Sequence, residues 1–286
     1  MSDQSLDADK FAAWVGRSET RIDQIDIGRA VAMAATLDLP VSLAVGDTLP
    51  PLWHWMYFWS AIPASQLGTD GHAQRGEFLP PVSLPRRMWA GGRLQFLAPL
   101  RVGAQAERVS RIKAVEVKQG KTGPLIFVTV AHEISVQGKP VIHEEHDIVY
   151  RDGSLPGTSL VNSKLAPTDA HWSSQISPDP VQLFRYSALT FNGYRIHYDR
   201  SYATDVGGYP GLIVHGPLIA SLLTDLLTRE LPNQTISEFS FRAIAPLFDT
   251  DPFSVYGRLE PEGHNVVLWA ANSRGELAMQ AEALLR

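Results

Sequence analysis

Residues 191–217 read FNGYRIHYDRSYATDVGGYPGLIVHGP and run directly into the apolar-periodic LIASLLTDLLTREL. Two polar, turn-prone segments, each holding a histidine, flank a glycine-rich loop. The second ends where a helix is predicted from about Pro217 to Leu231, because apolar residues recur there at three- and four-residue spacing behind an early proline. Backbone N–H groups at such a helix start have no partner within the helix and attract an anionic or polarised oxygen. His197 in the loop supplies a group that exchanges protons near neutral pH.

Working outward, the preceding segment Gln182–Leu189 reads as a strand. The runs Ser237–Ala243, Phe253–Glu260, Asn265–Asn272 and Glu276–Leu285 read as further strands. The first half has the same character. Ala8–Trp14 and Ile25–Asp38 are helix-compatible, the latter stopping before Pro40. PPLWHWMYFW packs five aromatics between Trp53 and Trp59, a density expected of core. Ser65–Pro85 reads as a long loop, of the kind that borders sites. The runs Gly92–Leu97, Gln105–Lys118, Leu125–Gln137 and Pro140–Tyr150 alternate like an antiparallel meander, with hairpin turns at Gln119–Gly123 and Gln137–Lys139. Leu97-Ala98-Pro99-Leu100 and Ile244-Ala245-Pro246-Leu247 stand 147 residues apart, each followed by the same order of strands and turns. That order reads as an internal duplication of an α+β unit. The expected organisation is a first half at 1–152, a linker at 153–180 rich in Ser, Pro, Gly, Asn and Asp, and a second half at 181–286.

The 286 residues carry 44% hydrophobic and 19% charged residues, the balance of a globular protein, with a net charge of −5. No basic run offers a nucleic-acid surface. No stretch approaches the roughly 18 apolar residues of a membrane span, and the acidic N-terminus lacks signal-peptide features; a cytoplasmic location is expected. The absence of cysteine excludes disulfides and thiolate chemistry. His143 and His146 would point to opposite faces of a strand, so no metal is expected there. His132 and His54 show no partner motif, and no phosphate-binding glycine loop appears in its strand-to-helix context.

The wording YSALTFNGYRIHYD followed by GYPGLIVHGPLIASLL resembles the MaoC-like, or type 2 enoyl-CoA hydratase, branch of the hot-dog superfamily. Within it the NGYRIHYD segment looks like the subgroup of mesaconyl-C4-CoA and itaconyl-CoA hydratases. The resemblance implies a double hot-dog in one chain, two antiparallel sheets each wrapped around a central helix, with a degenerate first half and the chemistry in the second. It implies an acyl-CoA thioester substrate threaded between the halves, no separate cofactor or metal, and no nucleic-acid or membrane partner; it allows a homodimer. His197 matches the family's catalytic histidine. Asn192 stands where the family has its catalytic aspartate; an amide cannot take a proton, though it can orient water. His215-Gly216 matches the helix-opening pair, with Gly216 the backbone donor to the thioester carbonyl and His215 a residue that caps or positions the helix. Tyr194, Tyr198 and Asp199 are expected to shape the loop, Tyr194 facing the substrate.

The reaction implied is hydration of a branched C5 dicarboxylic enoyl-CoA to citramalyl-CoA. Its free carboxylate would need a cation, for which Arg195 is the first candidate and Arg86 and Arg87 the rivals. The alternatives are a dehydratase of fatty 3-hydroxyacyl thioesters, a thioesterase, and a non-catalytic acyl-CoA binder.

Overall fold

The computed structural model describes residues 11–40, 42–120, 123–152 and 164–286. Ten strands form one sheet: β1 (Ser18–Gln24), β2 (Arg86–Phe96), β3 (Gln105–Gly120), β4 (Gly123–Val136), β5 (Lys139–Arg151), β6 (Trp172–Ile176), β7 (Ile236–Ala243), β8 (Phe253–Leu259), β9 (Asn265–Asn272) and β10 (Leu277–Leu285). The spatial order is β1-β3-β4-β5-β2-β7-β10-β9-β8-β6. Read outward from the β2/β7 seam, each arm repeats the same connectivity. Two separate sheets were expected; instead Gly91–Gln95 pairs antiparallel with Glu238–Arg242, merging the halves into one surface.

The repeated tetrapeptides leave β2 and β7 in the same way. The amides of Leu97 and Ala98 both reach the Val141 carbonyl, and those of Ile244 and Ala245 both reach the Ala278 carbonyl. One residue pair further on, Leu49 N–H donates to Leu100 and Val214 N–H to Leu247 at 2.8 and 2.9 Å. Beyond that point the halves diverge. After Val214 comes helix α3 (Gly216–Glu230), buried at every position from Leu218 to Thr224 and packed against β6, β8, β9 and β10. After Leu49 comes only a 3-10 turn, Trp53–Met56. Pro50 and Pro51 have no N–H to donate, and Leu52 sits in the left-handed region at φ 70°, so a helix cannot propagate there. The expectation of a central helix in each half therefore holds for the second half alone. In the first, the space is filled by Leu52, Trp53, Met56, Tyr57 and Phe58, all buried.

Helix α1 (Ile27–Thr36) starts at Asp26, whose carboxylate accepts from the Arg29 amide. Helix α2 (Pro180–Leu189) covers residues expected as a strand. Asp179 caps it by accepting from the amides of Val181 and Gln182, and Pro180 occupies the first turn, where its missing N–H costs nothing. This capping outweighs the weak strand-like pattern of the apolar residues. Helices α1 and α2 pack on each other, and one hydrophobic core runs through both halves. Strands β1 and β6 also escaped the reading; as polar outer strands they lack apolar alternation. Residues 153–163 lie outside the described residues, and β6 and Pro180 fall in the remainder of the expected linker. Ala8–Lys10 likewise lie outside; Phe11 and Ala12 are helical. Among the described residues no helix is long and apolar enough to cross a membrane.

Candidate active site

Helix α2 ends in a Schellman motif that sets Asn192. The Phe191 amide donates to Ala188 and the Asn192 amide to Ser187, at 3.2 and 2.8 Å. The reversal requires a left-handed residue, and Phe191 provides it at φ 52° where glycine is usual. Trp59 from the first half holds it there: its ring stacks on Phe191 at 4.9 Å and its Nε1–H donates to the Leu189 carbonyl at 3.1 Å. Asn192 Oδ1 accepts from the Tyr194 amide at 3.1 Å. Because an N–H needs an oxygen opposite it, the side-chain NH2 is the free end of Asn192 and can only donate.

A 3-10 turn, Arg195–His197, follows, and the Ile213 amide fixes it by donating to the Ile196 carbonyl at 3.0 Å. His197 Nδ1 lies 2.8 Å from the Ile213 carbonyl, which can only accept, so Nδ1 carries the proton and Nε2 is bare. Nε2 has no hydrogen-bond partner among the described residues. The ring is 8% exposed and stacks on His215 at 3.8 Å and 18°. Burial, with a smaller push from His72, lowers its pKa to about 4 against the Ile213 bond. At neutral pH His197 is therefore an uncharged base.

His215 occupies the N-cap position of α3 without a side-chain cap bond. Its Nε2 pairs instead with Ser187 Oγ at 2.8 Å, and burial holds its pKa well below the usual value. It is thus a neutral platform under His197. Gly216 is the first residue of the helix, Pro217 removes the next donor, and a Cβ at Gly216 would meet nothing within 4 Å. Its N–H has no backbone acceptor among the described residues.

The long first-half loop docks on this segment. Asp70 and Thr69 carbonyls accept from the Arg195 amide and guanidinium, each at 3.0 Å. Gly71 and Gly193 press backbone to backbone so closely that a Cβ on Gly71 would lie 1.9 Å from the Gly193 carbonyl oxygen. A cleft of about 430 Å³ opens beside this contact, with Arg87, His72, Asn192, Ser187, Phe184 and Phe191 in its wall. His197 stands one layer behind, in ring contact with Tyr194. The phenol of Tyr194, pushed up by burial to about 12, stays protonated.

The three candidate arginines separate. Arg195 pairs with Asp199 at 2.7 Å and lies over Tyr202, so it fastens the loop and is not turned to the cleft. Asp199 also accepts from Ser201 and the Tyr202 amide, and Tyr198 donates to the Gly193 carbonyl, both shaping the loop as expected of them. Arg86 donates to the Tyr209 hydroxyl at 3.1 Å. Of the three, Arg87 alone lines the cleft; among the described residues no carboxylate stands at ion-pairing distance from it, and its charge acts on Asp70, His72 and Tyr150 from further off.

Two histidines without any sequence partner are not isolated. His54 Nε2 (2.9 Å), His146 Nε2 and Trp55 Nε1 (2.6 Å) all donate to the buried Glu144, and the His132 ring sits 4.4 Å from His146. Burial alone would raise the Glu144 pKa, but the two imidazoles hold it well below the carboxylate range. Their partner lies some ninety residues from His54, a separation no local motif reveals. Among the described residues no group of His, Asp and Glu is arranged to hold a metal ion. Sequence reasoning also missed Asp70 and His72, whose only signal was membership of a long loop.

A sheet of two like arms is the double hot-dog architecture, and together with the chain's relatives it gives the class, a hydratase/dehydratase of that fold. The family model of type 2 hydroxyacyl-thioester dehydratases, Htd2, matches residues 52–249, and the chain belongs to that family. It is 47% identical, over 95% of its length and 96% of the relative's, to mesaconyl-C(4)-CoA hydratase of Chloroflexus aurantiacus. It is 29% identical, over 78% of its length and 84% of the relative's, to the mitochondrial type 2 hydroxyacyl-thioester dehydratase of Schizosaccharomyces pombe. Among solved structures, a MaoC-like dehydratase from Phytophthora capsici superposes with a TM-score of 0.69 at 15% identity, covering 98% of this chain and 99% of that one. A double-hotdog protein of Mycobacterium tuberculosis gives 0.57 at 15% identity, covering 95% and 96%; these two likenesses concern the fold.

Proposed function

We propose that the enzyme adds water to a branched C5 dicarboxylic enoyl-CoA, mesaconyl-C4-CoA or itaconyl-CoA, giving citramalyl-CoA. The 47% identity to a mesaconyl-C(4)-CoA hydratase supports the reading, and the observation that carries it is Arg87, an arginine in the same wall as Asn192 with no carboxylate at ion-pairing distance among the described residues. In mesaconyl-C4-CoA the free carboxylate is bonded to C3, the carbon that water attacks, so its cation must stand beside the attacking water. A guanidinium meets a carboxylate through paired N–H bonds.

In mesaconyl-C4-CoA, numbered from the thioester carbon, water adds its oxygen to C3 while the C2=C3 electron pair moves onto the thioester oxygen; itaconyl-CoA would first have to move its double bond into that position. The Gly216 N–H and the α3 dipole stabilise that oxygen; one such donor is worth about 3 kcal/mol in other enzymes. His197 Nε2 takes a water proton and returns it to C2 as the enolate collapses, so hydroxyl and hydrogen together make up one water. The Asn192 NH2 donates to the water or to the new hydroxyl.

The fatty-acyl alternative needs a long apolar channel, whereas the space of the first-half helix is filled by Trp53, Met56 and Tyr57. A panel of mesaconyl-CoA, itaconyl-CoA and crotonyl-CoA, followed by enoyl-thioester absorbance, tests the reading. Turnover of the dicarboxylic thioesters well above that of crotonyl-CoA is expected; preference for crotonyl or longer chains would reject it.

A further inference from the structure

Resting on that reading, the cleft holds a second imidazole with the equipment of a base. His72 Nδ1 lies 3.0 Å from Asp70 Oδ2. An ionised carboxylate only accepts, so Nδ1 carries the proton and Nε2 is bare. The carboxylate is ionised: burial opposes this, but the side-chain and amide hydrogen bonds from His72 bring its pKa to about 2. The dyad is built rigidly. The Asp70 Oδ1 atom accepts from the His72 amide at 2.9 Å, the His72 carbonyl accepts from Gly68 at 2.7 Å, and the Asp70 carbonyl is tied to the Arg195 amide. The Gly71–Gly193 contact then fixes the turn against the loop that carries Asn192 and His197.

His72 is in the cleft wall with Asn192 and Arg87, and no described residue bonds its Nε2. The ring centroids of His72 and His197 lie 4.2 and 5.7 Å from that of Tyr194, so both imidazoles border the same tyrosine. Charge on His72 is felt at His197. The chain therefore lacks a proton acceptor at Asn192 yet has one supplied to the same cleft by the other half.

We propose that His72, held by Asp70, is a second catalytic residue: its Nε2 accepts the second O–H of the attacking water, the function an amide at Asn192 cannot perform. Held by two acceptors, the water has a lone pair left to direct at C3. When the O–C3 bond forms, the O–H facing His197 breaks and its proton goes to His197 Nε2, then to C2. The O–H facing His72 is kept as the hydrogen of the product hydroxyl. Asp70 is a positioning residue that fixes the His72 tautomer, as a buried aspartate does for a catalytic histidine elsewhere.

The test compares native protein with His72→Ala, Asp70→Asn and His197→Ala on mesaconyl-CoA, measuring kcat and KM separately and adding imidazole to the His72→Ala protein. Expected are a loss of kcat of at least 100-fold in His72→Ala with KM within threefold, partial recovery with imidazole, and a smaller loss of kcat at unchanged KM in Asp70→Asn. Near-native kcat in His72→Ala, or an effect on KM alone, would overturn the inference while leaving the hydratase reading intact if His197→Ala is dead. A kcat loss that comes with a lowered melting temperature and no response to imidazole would also overturn it, marking His72 as structural. Native protein inactive on every thioester of the panel would instead overturn the hydratase reading, and the inference with it.

Discussion

The pKa of His197, lowered to about 4, sets two pH dependences. As a base the residue works when neutral, and so does His72, which burial also holds below its usual pKa, so kcat/KM should stay level from pH 8 down through 6.5 and fall only at lower pH. A limb centred at 6.5, the value of a free imidazole, would show that the working base lies elsewhere. Folding responds as well. On acidification the unfolded chain takes this proton near pH 6.5 while the native ring refuses it until about 4. Stability is therefore constant above 6.5 and falls between the two values, by about 3 kcal/mol for this residue. His215 and His132, also held below their usual pKa by burial, add in the same direction. Urea midpoints should hold level from pH 7.5 to about 6.5 and drop from there to 4.5; a flat profile over the whole range would mean that these rings are solvated. The arginines give a separate test. Arg87→Ala should cut turnover of dicarboxylic thioesters about 100-fold or more while sparing crotonyl-CoA. Arg195→Ala should lower both together, because Arg195 holds the loop by Asp199 and Thr69.

At the scale of elements, α2 matters more by its end than by its length. Phe191 in the left-handed region costs on the order of 1 kcal/mol, offset by its stack on Trp59. Phe191→Ala loses the stack and keeps the strain, whereas Phe191→Gly loses the stack and relieves it. The glycine variant should therefore be the more stable of the two by about 1 kcal/mol, read from denaturant midpoints; the reverse order would contradict the Schellman account. The β5 element carries another commitment. Glu144 is buried with three donors aimed at it, and Glu144→Ala leaves two imidazole N–H groups and an indole N–H unpaired. A loss of about 3–5 kcal/mol is expected, against little change if the cluster were incidental. Helix α3 was legible because its apolar spacing and Gly-Pro start agree. Helix α2 was not, since its signal lies in Asp179 and Pro180, the cap rather than the body. The β2/β7 seam was illegible for a different reason: pairing between distant strands leaves no local pattern.

Over the whole molecule, the repeat seen in two four-residue stretches corresponds to two arms with mirrored strand order and like hydrogen bonds after β2 and β7. What no repeat could reveal is how the arms divide their work. The second supplies the buried imidazole and the helix start, and the first sends a loop across with His72 and Asp70 and adds Arg87 from the start of β2. Asn192 and His197 were readable from wording and spacing because they lie five residues apart in one loop. The cleft-facing cation was readable only as one of three candidate arginines, because β2 brings Arg87 to the cleft from the other half; the second imidazole was not readable, because its placement depends on a loop from more than a hundred residues away closing on Gly193. On the proposed mechanism, neither half alone would suffice for the chemistry. The most direct test is the native enzyme incubated with mesaconyl-C4-CoA beside its Arg87→Ala variant, following enoyl-thioester absorbance and product mass. The account predicts loss of absorbance with gain of one water by the native protein, and a variant that hydrates crotonyl-CoA as before but not the dicarboxylic thioester. No water addition by the native protein, or equal loss on both substrates in the variant, would contradict it.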